Sequence, residues 1–432
     1  MLLHRSQTGQ QAHCGLGSGA AFVPTFCPAA PSPMRRAISA GVMVLALLAL
    51  VWLNTRPYDR DHREALLPQL RYLEGRLDGG AAEEMQRLFP EGYVFTWALY
   101  GAAAAQAAGQ PGVDGAQRTH LLAEAERAVA AVRSERARAT FAQRMDPPYG
   151  AFYTSWSLYV LAEYVRAAGP AHVAPETLAA FTALCDRFAQ TLEQSPSPFL
   201  ASYPGMTWPA DTTPGIAALG IHDQVLDPRY GPTIARWVSA ARGRLAPPLG
   251  ALSHTAHPSS GTPSGGVRGG SLALMSRFLV EADPAFSREQ YALLRAHFLD
   301  DLLGLPGLLE YPRGTEGEGD VDTGPLIFGF AGPATVVGAA AARVHGDEAL
   351  ADALLGTVDV LGLPVEVGGR RRYAGGVMPI GDAFLAWARA SPLLERERGA
   401  EAWERERWYV PFHLLSALLA GLLLWVGYRS WK

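Results

Sequence analysis

Cysteine is scarce in this 432-residue chain. Of its three cysteines, Cys14 and Cys27 lie in a leader rich in Pro, Gly and Ser, and Cys185 stands alone within a helical pattern. A disulfide framework for the main domain is thereby excluded, and Cys185 reads as a core residue. Excess charge is lacking as well: the formal net charge is -4, and no basic stretch is interleaved with aromatics, so no nucleic-acid partner is expected. The Gly/Ser-rich stretch Ser259 to Gly266 has the composition of a phosphate loop without its Lys-Ser/Thr ending, which rules out that mode of nucleotide binding. Segments with the alternation of a strand are few, and no strict internal repeat is present.

Long apolar runs are present at both ends. Ala37 to Leu53 and Phe412 to Val426 are almost wholly apolar, and Trp408, Tyr409, Trp425 and Tyr428 flank the second as interfacial anchors. Both read as membrane helices, assigned to residues 35–55 and 409–428. Arg35 and Arg36 precede the first and Arg429 and Lys432 follow the second, so the positive-inside rule puts both termini in the cytoplasm and the main domain, residues 57–408, outside the cell membrane. Arg405 and Arg407 on the inner flank of the second run oppose that orientation. Cleavage of a signal peptide is the competing reading of the first run, but Leu53-Asn54-Thr55 offers no small-residue cleavage site. Residues 1–34 read as a disordered leader or an over-extended start, because Met34-Arg35-Arg36 begins a good signal anchor.

Between the anchors, apolar residues recur at helical spacing near 62–76, 93–108, 116–133, 150–167, 175–194, 212–226, 230–244, 267–282, 287–304, 333–344, 347–360 and 379–390, about twelve helices. Two compositions occur among them. Ala116 to Val132 carries a charged face, as a solvent-exposed helix does. Gly101 to Ala105, Gly215 to Gly220 and Gly338 to Ala342 are small or apolar on nearly all sides, as in helices buried in an inner layer. The expected fold is all-α: an (α/α)6 toroid of helical hairpins with a transmembrane helix at each end. A two-part helical array is the alternative.

In a toroid, the loops leading into the inner helices line one mouth of a central cavity. Those loops carry Tyr93 and Trp97; Tyr149, Tyr153 and Trp156; Tyr203, Trp208 and Asp211; His254, His257 and Arg268; Glu316 to Asp322; and Arg371, Tyr373 and Asp382. Tyr153, Trp156, Tyr203, Trp208, His254, His257, Arg268 and Tyr373 are the candidate substrate-binding residues, with ordinary core packing the alternative for each aromatic. Glu316, Glu318, Asp320 and Asp322 alternate with other residues ahead of a small-residue apolar run, and an extended segment would place all four on one face, aimed at the cavity.

Asp211, Asp320, Asp322 and Glu318 are the candidate catalytic residues. Carboxylates gathered in a poorly hydrated cavity have their proton affinities driven apart, as general acid–base chemistry requires. Helix capping is the alternative role for Asp211 and Asp322, each closely followed by Pro. His254 and His257 lack an evident third ligand, and neither metal nor cofactor is expected. The basic run at Arg370 reads as solvated surface, and Arg268 could instead receive an anionic group.

Gly250-Ala251-Leu252 with His254, His257 and Pro258, then Asp283-Pro284-Ala285-Phe286-Ser287 with Tyr291, then Asp320 to Gly324 ahead of a small-residue helix ending near Gly346-Asp347, together resemble the linalool dehydratase/isomerase family of α/α toroids over residues 90–390. The resemblance implies acid–base removal, addition or migration of water on a small prenyl alcohol, with two active-site cysteines. The chain departs there: Tyr203 to Thr212, the matching stretch, holds no cysteine. A carbohydrate substrate, cleaved or only bound on the same aromatic walls, is the alternative.

Overall fold

A computed structural model describes residues 33–55, 62–393 and 408–431; of the leader expected over residues 1–34, all but Pro33 and Met34, which begin a helix, lies outside them. The protein is mostly helical. In chain order the helices are α1 (Pro33–Thr55), α2 (His62–Asp78), α3 (Ala81–Leu88), α4 (Gly92–Ala108), α5 (Gly115–Val132), α6 (Glu135–Arg138), α7 (Gly150–Ala168), α8 (Pro175–Gln194), α9 (Pro209–Val225), α10 (Gly231–Arg242), α11 (Gly269–Leu279) and α12 (Pro284–Phe298). The hairpin β1 (Leu299–Leu302) and β2 (Leu305–Leu308) follows, then α13 (Gly332–Val344), α14 (Glu348–Leu361), the hairpin β3 (Val365–Val367) and β4 (Arg370–Arg372), α15 (Pro379–Ala390) and α16 (Val410–Trp431). All twelve expected helices are present. The segment expected as helix to residue 304 instead ends at Phe298 and turns into β1, antiparallel to β2 with Leu299 opposite Leu308.

Six helices pack in a closed circuit. α4 lies on α7, α7 on α9, α9 on α11, α11 on α13, α13 on α15, and α15 returns to α4. The others lie outside: α5 covers α4 and α7, α8 and α10 cover α9, α12 covers α11, α14 covers α13 and α2 covers α15. Composition explains the division. All of α4 except Phe95 and Gln106 is buried, and close packing demands its small residues: a Cβ on Gly101 would stand 2.4 Å from the Cβ of Ala128 on α5 and 2.9 Å from Val160 on α7. A longer side chain there would force the helices apart.

The six inner helices run the same way. Arginines tie their C-terminal ends together, where unsatisfied carbonyls and the negative dipole ends meet. Arg118 donates to the carbonyls of Ala108 on α4 and Ala167 on α7, at 2.8 and 2.7 Å. Arg343 at the end of α13 donates to the carbonyl of Ser391, just past α15, at 2.7 Å. Arg166 on α7 pairs with Glu281 beyond α11 at 2.9 Å. The N-terminal ends therefore gather at the opposite end, the mouth.

Between the two ends the middle is filled with rings. Trp156 on α7 meets Phe95 on the neighbouring α4 at 5.0 Å and, across the circuit, Phe278 on α11 at 5.3 Å and Trp387 on α15 at 6.4 Å. Such edge-on contacts suit the ring quadrupoles. Trp156 is fully buried, so it is core and no wall of an open chamber.

α16 contains Val410–Arg429, long and apolar enough to cross a membrane, and Ser39–Thr55 in α1 is apolar but shorter. The two pack against each other antiparallel: Asn54 meets His413 at 2.5 Å, and Met43 lies against Gly427. They join the rest through Tyr409, whose amide donates to the Gly304 carbonyl at 2.7 Å and whose ring packs with Leu305, Ala353 and Val360.

Candidate functional site

A pocket of about 440 Å³ opens at the mouth, lined by Trp208, His254, Thr255, Arg268, Tyr311, Asp320, Val321 and Asp322 together with Gly265, Gly266 and Val267. Three lead-in loops build it. The loop before α9 is fixed on α7, because the Ala151 amide donates to the Ala201 carbonyl at 2.9 Å, and Gly150, at φ +84°, lies so close to Ser202 that a Cβ would stand 2.1 Å from its carbonyl oxygen. The loop before α11 joins it where the Ala256 amide donates to Thr207 at 3.1 Å, bringing His254 beside Trp208 in the wall. The loop before α13 supplies the acids.

Asp320 has a structural task. Its Oδ1 accepts from the amides of Asp322 and Thr323, both at 3.1 Å, and its Oδ2 takes a hydrogen bond from Arg268. These local bonds close a turn over 321–323, and the alternation expected to put four carboxylates on one face ends there. Burial pushes the Asp320 carboxyl up, but Arg268 and the turn amides outweigh it and hold the group below its ordinary value. Glu316 and Glu318 are exposed to solvent, away from the pocket wall, with only the Glu318 carbonyl engaged, by the Tyr311 hydroxyl at 2.9 Å. Arg268 is thus occupied by Asp320, with Glu310 a further 3.9 Å away, rather than waiting for an anion.

Asp211 and Asp322 are different. Asp211 is the third residue of α9, yet its carboxylate caps nothing; Ser202 Oγ donates to its Oδ2 at 2.5 Å. It lies deep in the protein while keeping part of its surface open. Its carboxyl is raised to about 7, by burial first and then by the charges of Glu91 and Asp322, against the Ser202 hydrogen bond. Asp322 keeps exposed surface in the pocket wall and is raised to about 6, by desolvation first, then by Asp320 and Glu91, against Arg268. The loops before α9 and α13 thus bring Asp211 within the field of Asp322, although Asp211 itself lies outside the pocket wall.

Two acids join them that the sequence pattern passed over. Glu91, immediately ahead of α4, accepts a hydrogen bond from the Tyr203 hydroxyl, and this bond, after burial, drives the tyrosine's proton affinity up. Glu310, only 2 % exposed, has no hydrogen-bond partner at Oε2; burial lifts it to about 7 against the pull of Arg268 and the Gly270 amide. Both had a signal: Pro90-Glu91-Gly92 marks a helix start, and Glu310 is a lone acid closing the apolar run Leu305 to Leu309. His254 accepts or donates at Nδ1 with Ser271 Oγ at 2.7 Å, and burial lowers its pKa to about 4, with Arg268 adding to the effect. It is neutral near pH 7.

The remaining candidates stand elsewhere. Tyr153 is buried, its hydroxyl donating to the Val132 carbonyl at 3.1 Å among Phe141 and Tyr149. His257 is exposed, outside the wall, its amide paired with Thr262. Tyr373 belongs to a buried cluster of Asp359, Arg371 and Arg389 beneath the β3–β4 hairpin. Tyr203 touches the wall through Trp208, ring centroids 6.2 Å apart.

Beside that cluster Asp382 is 2 % exposed and raised to about 7 by burial, against hydrogen bonds from Gln69 and the Tyr373 amide, both at 3.2 Å. A folded-state pKa above the unfolded value means stability that is full in acid and lost as pH rises through about 7. Asp382→Asn cannot titrate, so it should flatten the fall in stability between about pH 4 and about pH 7 by on the order of 2–4 kcal/mol. Thermal denaturation across that range checks this; an unchanged slope would mean that Asp382 is already ionised in the folded protein at acid pH.

No protein-family model matches the chain, and no curated protein matches it. Several residues that carry the family resemblance serve the framework: Asp283 caps α12 through the Phe286 amide at 2.8 Å, and Tyr291 donates to Asp347 at 2.8 Å.

Proposed function

We propose that the chain is a membrane-tethered (α/α)6 toroid enzyme performing hydro-lyase or isomerase chemistry on a small alcohol, as its resemblance to linalool dehydratase/isomerase suggests. The closed circuit of six parallel helices with an outer layer supports the toroid. One observation carries the chemistry: Asp322 stands in the pocket wall and Asp211, outside that wall, lies within its field, with the two carboxyls raised to about 6 and about 7, the pair of elevated acids that general acid–base chemistry uses.

The carboxylates take the place of the thiols. Protonated Asp211 gives its proton to the departing hydroxyl; the C–O bond breaks and water leaves. Asp322 takes a proton from the adjacent carbon, and that C–H electron pair becomes the new double bond. The alcohol becomes an alkene plus water, and the proton now on Asp322 returns to Asp211 between turnovers. Run backwards, the step adds water; addition at the other end of the allylic system moves the hydroxyl. Ser202 and the Glu91–Tyr203 pair hold Asp211's surroundings, and Trp208 gives the substrate an apolar wall. Trp208 and Tyr311 in one wall also favour a second reading, a sugar stacked on rings with the acids flanking a glycosidic bond.

Val410–Arg429, with α1 antiparallel to it, supports a tether whose two ends return to one side. Arg35, Arg36 and Arg429 make that side the cytoplasm by the positive-inside rule, with the domain outside. Incubating the purified full chain with allylic prenyl alcohols and with glycosides, and measuring alkene or reducing sugar, tests the activity. The wild type should form alkene and Asp322→Asn should bind without turnover; no product from either form would make the chain a binding protein.

A further inference from the structure

Apolar side chains left exposed on this protein are gathered at one end. Outside α1 and α16, and among the described residues, Leu393 is the exception; every other exposed large apolar side chain is the last residue of a helix that leads into an inner one, as Leu88 and Leu361 are, or lies in the segment that follows, toward the mouth. Phe328 is the plainest case. Ile327 and Phe330 pair across a two-residue turn whose central residues, Phe328 at φ +52° and Gly329 at φ +85°, both have left-handed backbone. Such a turn favours Asn-Gly; here a phenylalanine bears the strain and stands 79 % exposed at the tip. Val377 is 74 % exposed ahead of α15.

The β3–β4 hairpin repeats the theme with charge. Its register sets Val365 opposite Arg372 and Val367 opposite Arg370, so these four share one face, and all are exposed, whereas Arg371 on the other face is buried. The Arg370 guanidinium lies over Gly75 of α2, whereas Val365 and Val367 beside Arg372 suit the boundary between acyl chains and phosphate headgroups. The same end carries the tether: α16 begins against Gly304, Leu305 and Val360, and the chain runs on from Leu305–Leu308 into the pocket segment Glu310 to Asp322.

We propose that the mouth is a membrane-docking face: the domain rests mouth-down on the bilayer that α16 enters, and the pocket takes its substrate from the lipid leaflet. The substrate class is then a membrane-resident amphiphile with an apolar tail and a hydroxyl head. The docking rests on the apolar rim and the tether, while the nature of the substrate rests on the acid–base reading above.

The test uses the full chain in phosphatidylcholine vesicles, with Cys14 and Cys27 replaced by serine and Cys185 left buried. A bimane probe is placed at Phe328→Cys or, at the far end after α9, at exposed Asp227→Cys, and lipids carrying a shallow nitroxide act as quencher. Quenching several-fold stronger at 328 than at 227 is expected; equal quenching would overturn the docking. The double variant Phe328→Asp, Val377→Asp should lower kcat/KM about tenfold for a long-chain alcohol in the vesicle and leave a short soluble alcohol unchanged. Equal loss on both would contradict a leaflet-fed pocket. If the wild type turns over neither alcohol, the acid–base reading falls while the quenching comparison still decides the docking.

Discussion

Asp211→Asn is expected to lower kcat by about 10²–10⁴-fold, the range for removal of a positioned general acid, with little change in substrate affinity. Asparagine keeps the size of the side chain and can still accept from Ser202, so a loss would not follow from disturbed packing. The pH dependence carries a sharper signature. Activity of the wild type should peak between the two macroscopic pKa values of the pair, near 6 and 7, falling in acid as Asp322 is protonated and in alkali as Asp211 is ionised. In the variant the alkaline limb should disappear while the acid limb stays, because burial, Asp320 and Glu91 rather than Asp211 hold Asp322 up. An unaltered profile would remove Asp211 from the chemistry.

Arg277→Ala is expected to cost about 3–5 kcal/mol of stability, the usual result of breaking a buried charge pair by taking one partner. Arg277 is fully buried at the far end of the inner helices. It stands 3.7 Å from Glu281, donates to Ser391 Oγ at 3.1 Å and lies over the Trp387 ring at 5.3 Å. It thus connects α11 to α15 across the circuit. Arg166 and Arg277 together hold Glu281 below its ordinary pKa although its side chain is only 7 % exposed, and losing either leaves that carboxylate short of positive charge. Thermal and urea denaturation measure the effect; a change under about 1 kcal/mol would mean that water or Arg166 alone satisfies Glu281.

The helices were legible in the sequence because burial leaves a strong imprint on composition. Gly101 to Ala105 and Gly338 to Ala342 can lie only where backbones approach closely, and they do. β1 was hidden, because the Leu-rich stretch 293–308 satisfies helical and strand spacing alike. The acidic segment misled for a local reason: Asp320 binds the amides two and three residues on, and those bonds override the extended geometry that the alternation implied. Asp211 and Asp322 were legible as acids leading into inner helices, whereas Glu310 had only the weaker signal of a lone acid closing a leucine run, which does not tell which end of a hairpin it will face. Trp156 shows the same limit: one residue near the start of an inner helix lines the mouth, and another one turn further in fills the centre.

The shared proton is most directly measured by infrared titration of the carboxyl groups, comparing wild type with Asp211→Asn between about pH 4 and about pH 9. A protonated-carboxyl band that persists to near pH 7 in the wild type and is diminished in the variant is the expected result. A wild-type band lost with ordinary carboxylate behaviour near pH 4, or one that Asp211→Asn leaves untouched, would contradict a poised acid at the mouth of these helices.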